Sequence, residues 1–376
     1  MKAGRSILAL TLGLGTFAPV MFAATDSTSN PTVFAMTNAA DRNEVVVFTR
    51  ERDGSFSETN RFSTDGRGSS GTNDPLQSQG ALTLNSDHTL LFAANAGSGT
   101  LTSFRIERDG HLALVDKAST GGSEPLAVAT FKNCVYVLDG AGQGTVMGFS
   151  VDEGGHLRAI KDASAFLSAT SAGGSSISIT PDGQFLVVTE RLTNSIDTFR
   201  IFSDGTLGPI NTIASPVPGV FSARFDPQGQ LILSATGPAN AANASTISSF
   251  SVQSTGALIA VTNALPTFGN ANCWNAVTPD GKYAYVSNAG SSTISAFSIS
   301  KTGVLKPVGP TVVATQPEGT TNLDITVSGD GKYVYTLNSM VGSISVFAIN
   351  VDGTLTPQGE ISGLPKNVGF NGIAAL

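Results

Sequence analysis

Residues 274–308 read WNAVTPDGKYAYVSNAGSSTISAFSISKTGVLKPV and contain one complete repeating unit of this chain. Apolar and polar residues alternate through four short runs that are separated by turn residues, of which Pro279-Asp280-Gly281 is the clearest example. The runs are Trp274–Thr278, Lys282–Ser287, Thr293–Ser300 and Val304–Val308. Alternation with period two, interrupted by Gly-containing turns, predicts four antiparallel strands, named a to d in chain order.

The turn between strands c and d recurs seven times along the chain, at intervals of 45 to 56 residues. Gly at its second position accepts the positive φ that a tight hairpin requires. The seven copies are Asp53-Gly54, Asp109-Gly110, Gly154-Gly155, Asp204-Gly205, Thr255-Gly256, Thr302-Gly303 and Asp352-Gly353. A period of this length with several short strands is typical of a propeller blade. We therefore expect an all-β fold, with one seven-bladed β-propeller domain over residues 25–376 and four antiparallel strands in each blade.

The two ends of the repeating region complement each other. The first strand-like run, Val33–Met36, reads as a strand b with no strand a before it, and residues 371–376 read as a strand a with no strand b after it. Pairing the last strand with the first three would close the ring and remove its exposed edges. The sequence therefore predicts closure of the first blade by the C-terminal strand.

The first 24 residues have the pattern of a secretory signal peptide. Lys2 and Arg5 precede an apolar run over Ile7–Phe17, and small residues follow it. The run is shorter than the ~20 residues that span a bilayer, although an uncleaved anchor remains the alternative interpretation. We expect a secreted or periplasmic protein that has no membrane contact after the signal is removed.

Charge and cysteine content restrict the possible partners. The formal net charge is −7 and the basic residues form no cluster, which argues against nucleic acid and anionic membranes. Cys134 opens the second strand of its repeat, and Cys273 precedes the first strand of another repeat three blades away. The two should lie near opposite faces of the predicted disc, so we expect two unpaired thiols. We expect a monomer that takes a small molecule.

The connectivity of the blades assigns the loops to two faces of the disc. Turns a–b and c–d share one face, while turns b–c and connections d–a share the other. The long connections, at Ser63–Gln79, Ala163–Ser175 and Thr236–Thr246, belong to the second face and are rich in Gly, Ser, Asn and Asp. They either only connect strands or cover a substrate at the mouth of the channel.

The last position of strand b provides the first candidate site residues. The seven positions are Asn38, Asn95, Asp139, Glu190, Thr236, Asn288 and Asn338. Asn and Asp side chains can bond the backbone of the following turn, although Asn95, Asn288 and Asn338 are also candidates for substrate binding. Glu190 is too long for that capping role, so Glu190 is a candidate general base and Arg191 a candidate anion-binding residue. The alternative interpretation is a surface Glu-Arg pair.

The innermost strand provides a second set of candidates. At the position nearest the axis, most blades have a small residue, but two have Trp274 and Asp324. Trp274 either forms the floor of a ligand pocket or plugs the channel. Asp324 either contributes a second carboxylate or bonds backbone groups at the rim of the channel. Cys273 would be a nucleophile only beside an activating base, and a buried thiol is the simpler interpretation.

The histidines indicate which chemistry to exclude. His88 lies in an a–b turn, and His111 and His156 follow c–d turns, so all three are expected on the face opposite the long loops. This placement argues against a His-based triad or a His-ligated metal at the mouth. No metal site or cofactor is predicted.

Two stretches resemble blades of the seven-bladed lactonase family, which includes propeller-type 6-phosphogluconolactonase and the carboxymuconate lactonizing enzyme. These stretches are residues 94–104 (ANAGSGTLTSF) and 277–288 (VTPDGKYAYVSN). The chain looks most similar to exported members described as carboxymuconate cyclase-like, through residues 188–191 (VTER), Cys273-Trp274 and residues 324–328 (DITVS). The resemblance spans the whole chain after the signal and implies a propeller with lactonase activity.

The chain departs from the family pattern at most of the active-site positions. Enzymes of the family carry an Arg-His pair before strand a of a middle blade, where this chain has Ser175 and Ser176. An Arg that the family has one blade later is replaced around Thr236 and Gly237. Only Glu190 matches the family pattern, so the resemblance implies a role for that residue alone.

Two functional hypotheses follow. The first is an exported lactonase-like hydrolase, or cyclase, with Glu190 as base, Arg191 holding an anion, and Trp274 and Asp324 lining the site. The second is a non-catalytic propeller that binds a carbohydrate or a protein through its loop-rich face. The replaced Arg and His favour the second hypothesis, and the resemblance along the whole chain favours the first.

Overall fold

The computed structural model describes residues 1, 31–51, 53–107, 110–239 and 241–376. Within these ranges the chain forms seven antiparallel sheets of four strands each. The strands of blades 1 to 4 are β1 Thr32–Met36, β2 Glu44–Arg50, β3 Phe56–Ser63, β4 Leu82–Leu84, β5 Leu90–Asn95, β6 Thr100–Ile106, β7 Leu112–Ser119, β8 Pro125–Phe131, β9 Cys134–Asp139, β10 Thr145–Val151, β11 Leu157–Phe166, β12 Gly174–Ile179, β13 Phe185–Glu190, β14 Ser195–Arg200 and β15 Asn211–Ala214. Those of blades 5 to 7 are β16 Val220–Phe225, β17 Gln230–Ala235, β18 Thr246–Val252, β19 Leu258–Pro266, β20 Asn272–Val277, β21 Tyr283–Asn288, β22 Thr293–Ile299, β23 Leu305–Thr315, β24 Asn322–Val327, β25 Tyr333–Asn338, β26 Ser343–Ile349 and β27 Leu355–Ser362, while β28 Ile373–Ala375 returns to blade 1.

The predicted seven-bladed propeller is confirmed, and so is its closure. Blade 1 has the strand order β28-β1-β2-β3, and the other six blades each use four consecutive strands. Val33, Phe34 and Ala35 pair with Ala375, Ala374 and Ile373. The amide of Leu376 also donates to the carbonyl of Thr32 at 3.0 Å. The C-terminal strand thus supplies strand a of the first blade.

The burial pattern explains why each blade has four strands. Strands b and c are buried on both faces because they pack against the neighbouring blades, as in β21 and β22. The outermost strands are largely exposed; β27, for example, is buried only at Leu355 and Ile361. Apolar clusters lie between adjacent blades, so each blade buries its faces only against its neighbours.

The turn glycines have the predicted backbone. In all seven c–d turns the glycine at the second position has a positive φ, from 75° at Gly110 to 96° at Gly155. Asp109, the first residue of one of these turns, lies outside the described residues. Strand d of the sixth blade is longer than predicted, because β23 continues to Thr315 along β22. Cys134 and Cys273 are both unpaired, as predicted.

The predicted signal peptide and the search for membrane-spanning helices concern the N-terminal segment and the helices of the chain. The predicted signal peptide, residues 1–24, lies outside the described residues except for Met1. Among the residues that the structure describes, no helix is long and apolar enough to cross a membrane.

Candidate functional site

The innermost strands surround an axial channel that contains two separate cavities. The first, the mouth cavity, has a volume of about 510 Å³ and opens among the d–a connections and b–c turns. Its lining consists of Thr72, Asn73, Asp74, Gln77, Arg191, Gly219, Val220, Phe221, Thr236 and Cys273. The second, the channel cavity, is bordered by a–b turns at Ser86, His88, Pro279 and Gly329. The predicted assignment of loops to two faces therefore agrees with the residues that line each cavity.

Arg191 supplies the positive charge of the mouth cavity. It follows β13 directly, and its amide donates to the carbonyl of Gly173 at 2.9 Å, which ties this b–c turn to the preceding d–a connection. Gly173 has a φ of +70°, and a Cβ there would lie 2.6 Å from the Leu192 side chain, so the approach requires glycine. The Arg191 guanidinium makes no hydrogen bond or contact ion pair with any residue in the described ranges. It is half-buried and available to a ligand.

Asp74 supplies the carboxyl group of the same cavity, and sequence reasoning did not single it out. It lies in the long connection between β3 and β4, where its Oδ1 accepts from the Gln77 amide and from Nδ2 of Asn371, both at 3.0 Å. Burial raises the pKa of Asp74 to about 6, although these two hydrogen bonds and Arg191 favour the charged form. Asp74 and Arg191 attract each other without forming a contact ion pair, and both line the mouth cavity.

The floor of the mouth cavity is closed by a layer of side chains that we call the partition: Ser78, Gln79, Ser222, Trp274 and Asn275. Trp274 is buried, and its indole nitrogen donates to the carbonyl of Ser78 at 2.8 Å. Gln79 donates through Nε2 to the carbonyl of Asn275 at 2.9 Å and accepts from the Asn275 amide at 3.2 Å. Cys273 lines the mouth cavity and Asn275 lines the channel cavity, which places Trp274 at the boundary. Trp274 is not among the residues that line either cavity.

Asp324 is on the other side of this partition. It lines the channel cavity, where its Oδ1 accepts from Gln79 at 3.1 Å and from the Ile325 amide at 2.9 Å. His88 borders the same cavity. Asp324 therefore does not share an opening with Arg191, contrary to the sequence-based expectation, because Gln79 from the long first connection crosses the axis between them.

Glu190 is fully buried in blade 4 and is not part of the lining of the mouth cavity. Its Oε1 accepts from the Ser168 amide at 2.8 Å, and its Oε2 accepts from the Ser168 hydroxyl and from the Thr193 hydroxyl, the latter at 2.6 Å. These contacts join the d–a connection before blade 4 to the b–c turn after β13. The structure thus brings Glu190 and Arg191 into one turn but directs only Arg191 into the cavity.

Asp197, on β14, is a second buried carboxyl group and lies next to Glu190, the last residue of β13. Burial raises the pKa of Asp197 well above its ordinary value, and the adjacent Glu190 raises it further. Burial also acts to raise the pKa of Glu190, but hydrogen bonds from Asp197, Ser168 and Thr193 lower it overall. The raised pKa of Asp197 and the lowered pKa of Glu190 both favour a protonated Asp197 beside an ionised Glu190.

Asn95, Asn288 and Asn338, the predicted substrate-binding residues, are also fully buried. Each donates through Nδ2 to a hydroxyl group seven residues later on strand c, at Thr102, Ser295 and Ser345, with distances of 2.8 to 2.9 Å. None is among the residues that line the mouth cavity. Each side chain therefore links strand b to strand c through hydroxyl groups, and not to the backbone of the following turn as the alternative interpretation held.

Two of the positions at which this chain differs from the family pattern, Ser175 and Ser176, join neighbouring blades. Ser175 donates to the carbonyl of Phe221 at 2.7 Å, and Ser176 accepts from the Ala223 amide at 2.9 Å, which joins blade 4 to blade 5. Thr236 lines the mouth cavity. Within the described residues, no group of three or more His, Cys, Asp or Glu side chains is arranged to hold a metal ion.

Fold and cavity together define a seven-bladed propeller with a polar pocket at one end of its axis, where a carboxyl group and an arginine face a common space. A family model described as "Lactonase, 7-bladed beta-propeller" matches residues 40–139, 126–276 and 274–367. The chain belongs to this lactonase family, which supports a lactonase activity. A search of curated proteins found no match.

Solved structures agree with the fold. A protein described as a 6-phosphogluconolactonase from Bacteroides uniformis aligns with 19% identity and a TM-score of 0.67, covering 93% of this chain and all of its own. A second, from Bacteroides fragilis, has 16% identity and a TM-score of 0.68 and covers 94% and 99% of the two chains. The periplasmic gluconolactonase of Pseudomonas aeruginosa has 18% identity and a TM-score of 0.66, with coverage of 92% and 99%. At these identities the similarity establishes the fold alone.

Proposed function

We propose that this protein hydrolyses a small sugar-type lactone in the mouth cavity, with Asp74 as general base and Arg191 as the group that stabilises negative charge. One observation carries the proposal: the unpaired Arg191 guanidinium faces the same cavity as a carboxyl group whose pKa is raised to about 6. A base with a pKa near the working pH combines a large ionised fraction with useful basicity.

The reaction assigns a separate task to each group. Asp74 takes a proton from water as the water oxygen bonds to the lactone carbonyl carbon, and the carbonyl oxygen becomes an oxyanion. Arg191 donates hydrogen bonds to that oxygen, where a fixed cation lowers the barrier most. The oxyanion then re-forms the carbonyl as the ring C–O bond breaks, and Asp74 returns its proton to the departing alkoxide. The resulting carboxylic acid releases its remaining proton to solvent, which leaves the carboxylate beside Arg191.

Two other acidic or nucleophilic groups have supporting roles. Burial raises the pKa of the Cys273 thiol well above its ordinary value, so it lines the cavity as a neutral group and not as a nucleophile. Glu190 positions the turn that carries Arg191 through its bonds to Ser168 and Thr193. This assignment keeps Glu190 in the site as a positioning residue and transfers the role of base to Asp74.

The charge of the cavity favours an unphosphorylated lactone. Arg191 is the one cation among the described residues that line it, and Asp74 opposes a second negative charge. Such a substrate is consistent with export through the predicted leader and with the carboxymuconate cyclase-like exported subgroup. Gluconolactone, the substrate named for the Pseudomonas aeruginosa neighbour, is a suitable first probe.

The test is lactone hydrolysis followed in a pH-stat, corrected for spontaneous opening, across δ- and γ-lactones of sugars and of simple hydroxy acids. We expect Asp74→Asn and Arg191→Gln to lower kcat/KM by about 100-fold or more, and Glu190→Gln by less than about tenfold. Asp65→Asn, a change at an exposed carboxyl group of the same connection, is the matched control and should keep full activity. A wild-type protein that opens none of these lactones, or an Asp74→Asn variant with normal activity, would remove the proposal.

The binding-module hypothesis has one specific observation in its favour. Leu192 and Phe268, on the loop-rich face, have 62% and 59% of their surfaces exposed and are available to a partner. If the wild type hydrolyses nothing but binds an oligosaccharide or a protein, and Leu192→Ser with Phe268→Ser abolishes that binding, the second hypothesis replaces the first.

A further inference from the structure

The channel cavity is a second enclosed space, on the opposite side of the partition from the proposed active site. Its volume is about 570 Å³, within the range of small-molecule sites. The innermost strands of all seven blades contribute to its wall, and it shares no lining residue with the mouth cavity. Nothing in the proposed lactone reaction uses it.

Arg224 projects into this cavity from β16 and is the one Lys or Arg among its lining residues. Its Nη1 donates to the carbonyl of Ile177 at 3.2 Å and to the hydroxyl of Ser178 at 3.3 Å. Nη2 lies over Gly80, where a Cβ would come within 2.8 Å, so this close approach depends on glycine. In the described part of the chain, neither Nε nor Nη2 has a hydrogen-bond or ion-pair partner.

A guanidinium held in this way is expensive to bury without an anion. Surrounding protein lowers the pKa of Arg224, whereas Asp324 favours its charged form from a distance. The two groups make no contact ion pair, because Asp324 is held two blades away by Gln79 and the Ile325 amide. Two nitrogens of the fork therefore remain available to a carboxylate, which they match in geometry.

The rest of the channel cavity offers hydrogen-bond acceptors. Thr83, Thr130 and Ser178 line the wall, and each donates its hydroxyl hydrogen to a backbone carbonyl: Gly80 at 3.0 Å, Leu84 at 3.2 Å and Ala223 at 2.6 Å. Their oxygens are thus left as acceptors, as is the carboxylate of Asp324. A ligand with several hydroxyl groups would satisfy them.

We propose that the channel cavity binds a small hydroxycarboxylate, with its carboxylate on Arg224 and its hydroxyl groups directed to Asp324 and the threonine and serine oxygens of the wall. The proposal does not depend on the lactonase reaction, since the two cavities are separated by the partition. Ligand enters from the face of the a–b turns, past His88.

The chain provides a built-in reporter for this site. Trp274 is the one tryptophan of the sequence and lies in the partition, one residue from Asn275, which lines the channel cavity. Titrations followed by Trp fluorescence and by calorimetry would compare three probes: gluconate, which has a carboxylate and hydroxyls; hexanoate, which lacks hydroxyls; and sorbitol, which lacks the carboxylate. We expect saturable binding of gluconate at least tenfold tighter than that of either other probe.

Arg224 and Arg191 form a matched pair of variants, because they lie at opposite sides of the partition. Arg224→Gln should weaken gluconate binding at least tenfold and leave lactone hydrolysis unchanged, whereas Arg191→Gln should leave this binding intact. Asp324→Asn, which preserves shape, should weaken binding in the same direction and serves if Arg224→Gln does not fold. Equal binding of the three probes, loss of binding in Arg191→Gln alone, or no binding to the folded wild type would overturn the proposal.

Discussion

Asp74 and Glu190 are both acidic residues on the loop-rich side of the propeller, but the protein uses them in opposite ways. Glu190 occupies a position of the repeat, and hydroxyl and amide donors of blade 4 occupy both of its oxygens. Asp74 lies in the longest d–a connection of the described residues and is bound through Oδ1, beside Arg191 in an open cavity. A carboxyl group with spare acceptor capacity in a cavity is better suited to proton transfer than one whose acceptors are filled.

The sixth blade shows why Glu190 is a structural residue. Asn288 and Ser295 occupy the same register there as Glu190 and Asp197 in blade 4, since Val286 pairs with Ser295 and Val188 pairs with Asp197. Asn288 bonds Ser295 at 2.9 Å, and Glu190 and Asp197 are neighbouring carboxyl groups at the equivalent positions. A residue that departs from the repeat can therefore keep the task of the repeat with different chemistry.

Deleting residues 372–376 should have the largest effect, because it disturbs the surroundings of Asp74 but not those of Glu190. The deletion removes β28, exposes the edge of β1 and displaces Asn371 from Asp74, whereas the contacts of Glu190 lie within residues 168–197. We expect aggregation or loss of cooperative unfolding, measured by light scattering and calorimetry. A truncated protein that stays monomeric with an unchanged Tm would contradict the closure of the ring.

A milder change, Asn371→Ala, should act on Asp74 alone. In the proposed reaction Asp74 acts as the base, so kcat/KM of the wild type should rise with pH through about 6. Loss of the Asn371 donor disfavours the anion, so the midpoint should move to higher pH and kcat/KM at pH 6 should fall by about threefold to tenfold. Asn367→Ala is the control, since Asn367 binds the same connection at the Asn73 amide without touching Asp74. A pH profile unchanged by Asn371→Ala would argue against Asp74 as the titrating base.

Asp197→Asn should remove the pH dependence of stability that arises from the raised pKa of Asp197. Its folded pKa is raised, so the protonated form favours folding at low pH, and this contribution is lost as pH rises from about 4 towards the folded pKa. Asn keeps a donor to Glu190 without that loss. We expect the variant to match the wild type in urea unfolding at pH 4.5 and to exceed it by about 1 kcal/mol or more at pH 8. Asp162→Asn, at an exposed position with φ of 63°, should show no such trend.

The smallest effect is expected from giving blade 4 the pair of blade 6, with Glu190→Asn and Asp197→Ser together. The double variant should unfold within about 1 kcal/mol of the wild type, whereas Glu190→Asn alone leaves Asp197 buried beside a poorer partner and should cost about 1–3 kcal/mol. Urea unfolding of the four proteins of this cycle measures the coupling. Additive effects would show that the two carboxyl groups do not act as a pair.

The repeat made most of the fold predictable. Turn glycines at regular intervals gave the blade count, and the incomplete units at residues 33–36 and 371–376 gave the closure, because both features are local patterns that every blade repeats. A structural role for Asn95, Asn288 and Asn338 was one of the sequence-based interpretations, but their actual partners, hydroxyl groups of strand c, were not predicted. A feature that every blade repeats can be predicted in one blade from the sequence of the others.

The site was less predictable because it depends on parts of the chain that do not repeat. Asp74 is placed by Asn371, 297 residues away, and Gln79 crosses the axis to meet Asn275 and Asp324. No periodic pattern specifies where such a connection runs. The length of Ser63–Gln79 was the one available signal, and it marked the connection as a candidate cover without identifying the carboxyl group that matters.

Ring closure also has a consequence for how the molecule is made. The six other blades each consist of consecutive strands and can assemble as soon as they leave the ribosome, but blade 1 remains three-stranded until Ile373–Ala375 have been synthesised. The first blade to begin translation is therefore the last to be completed, and the edge of β1 stays unpaired throughout chain elongation.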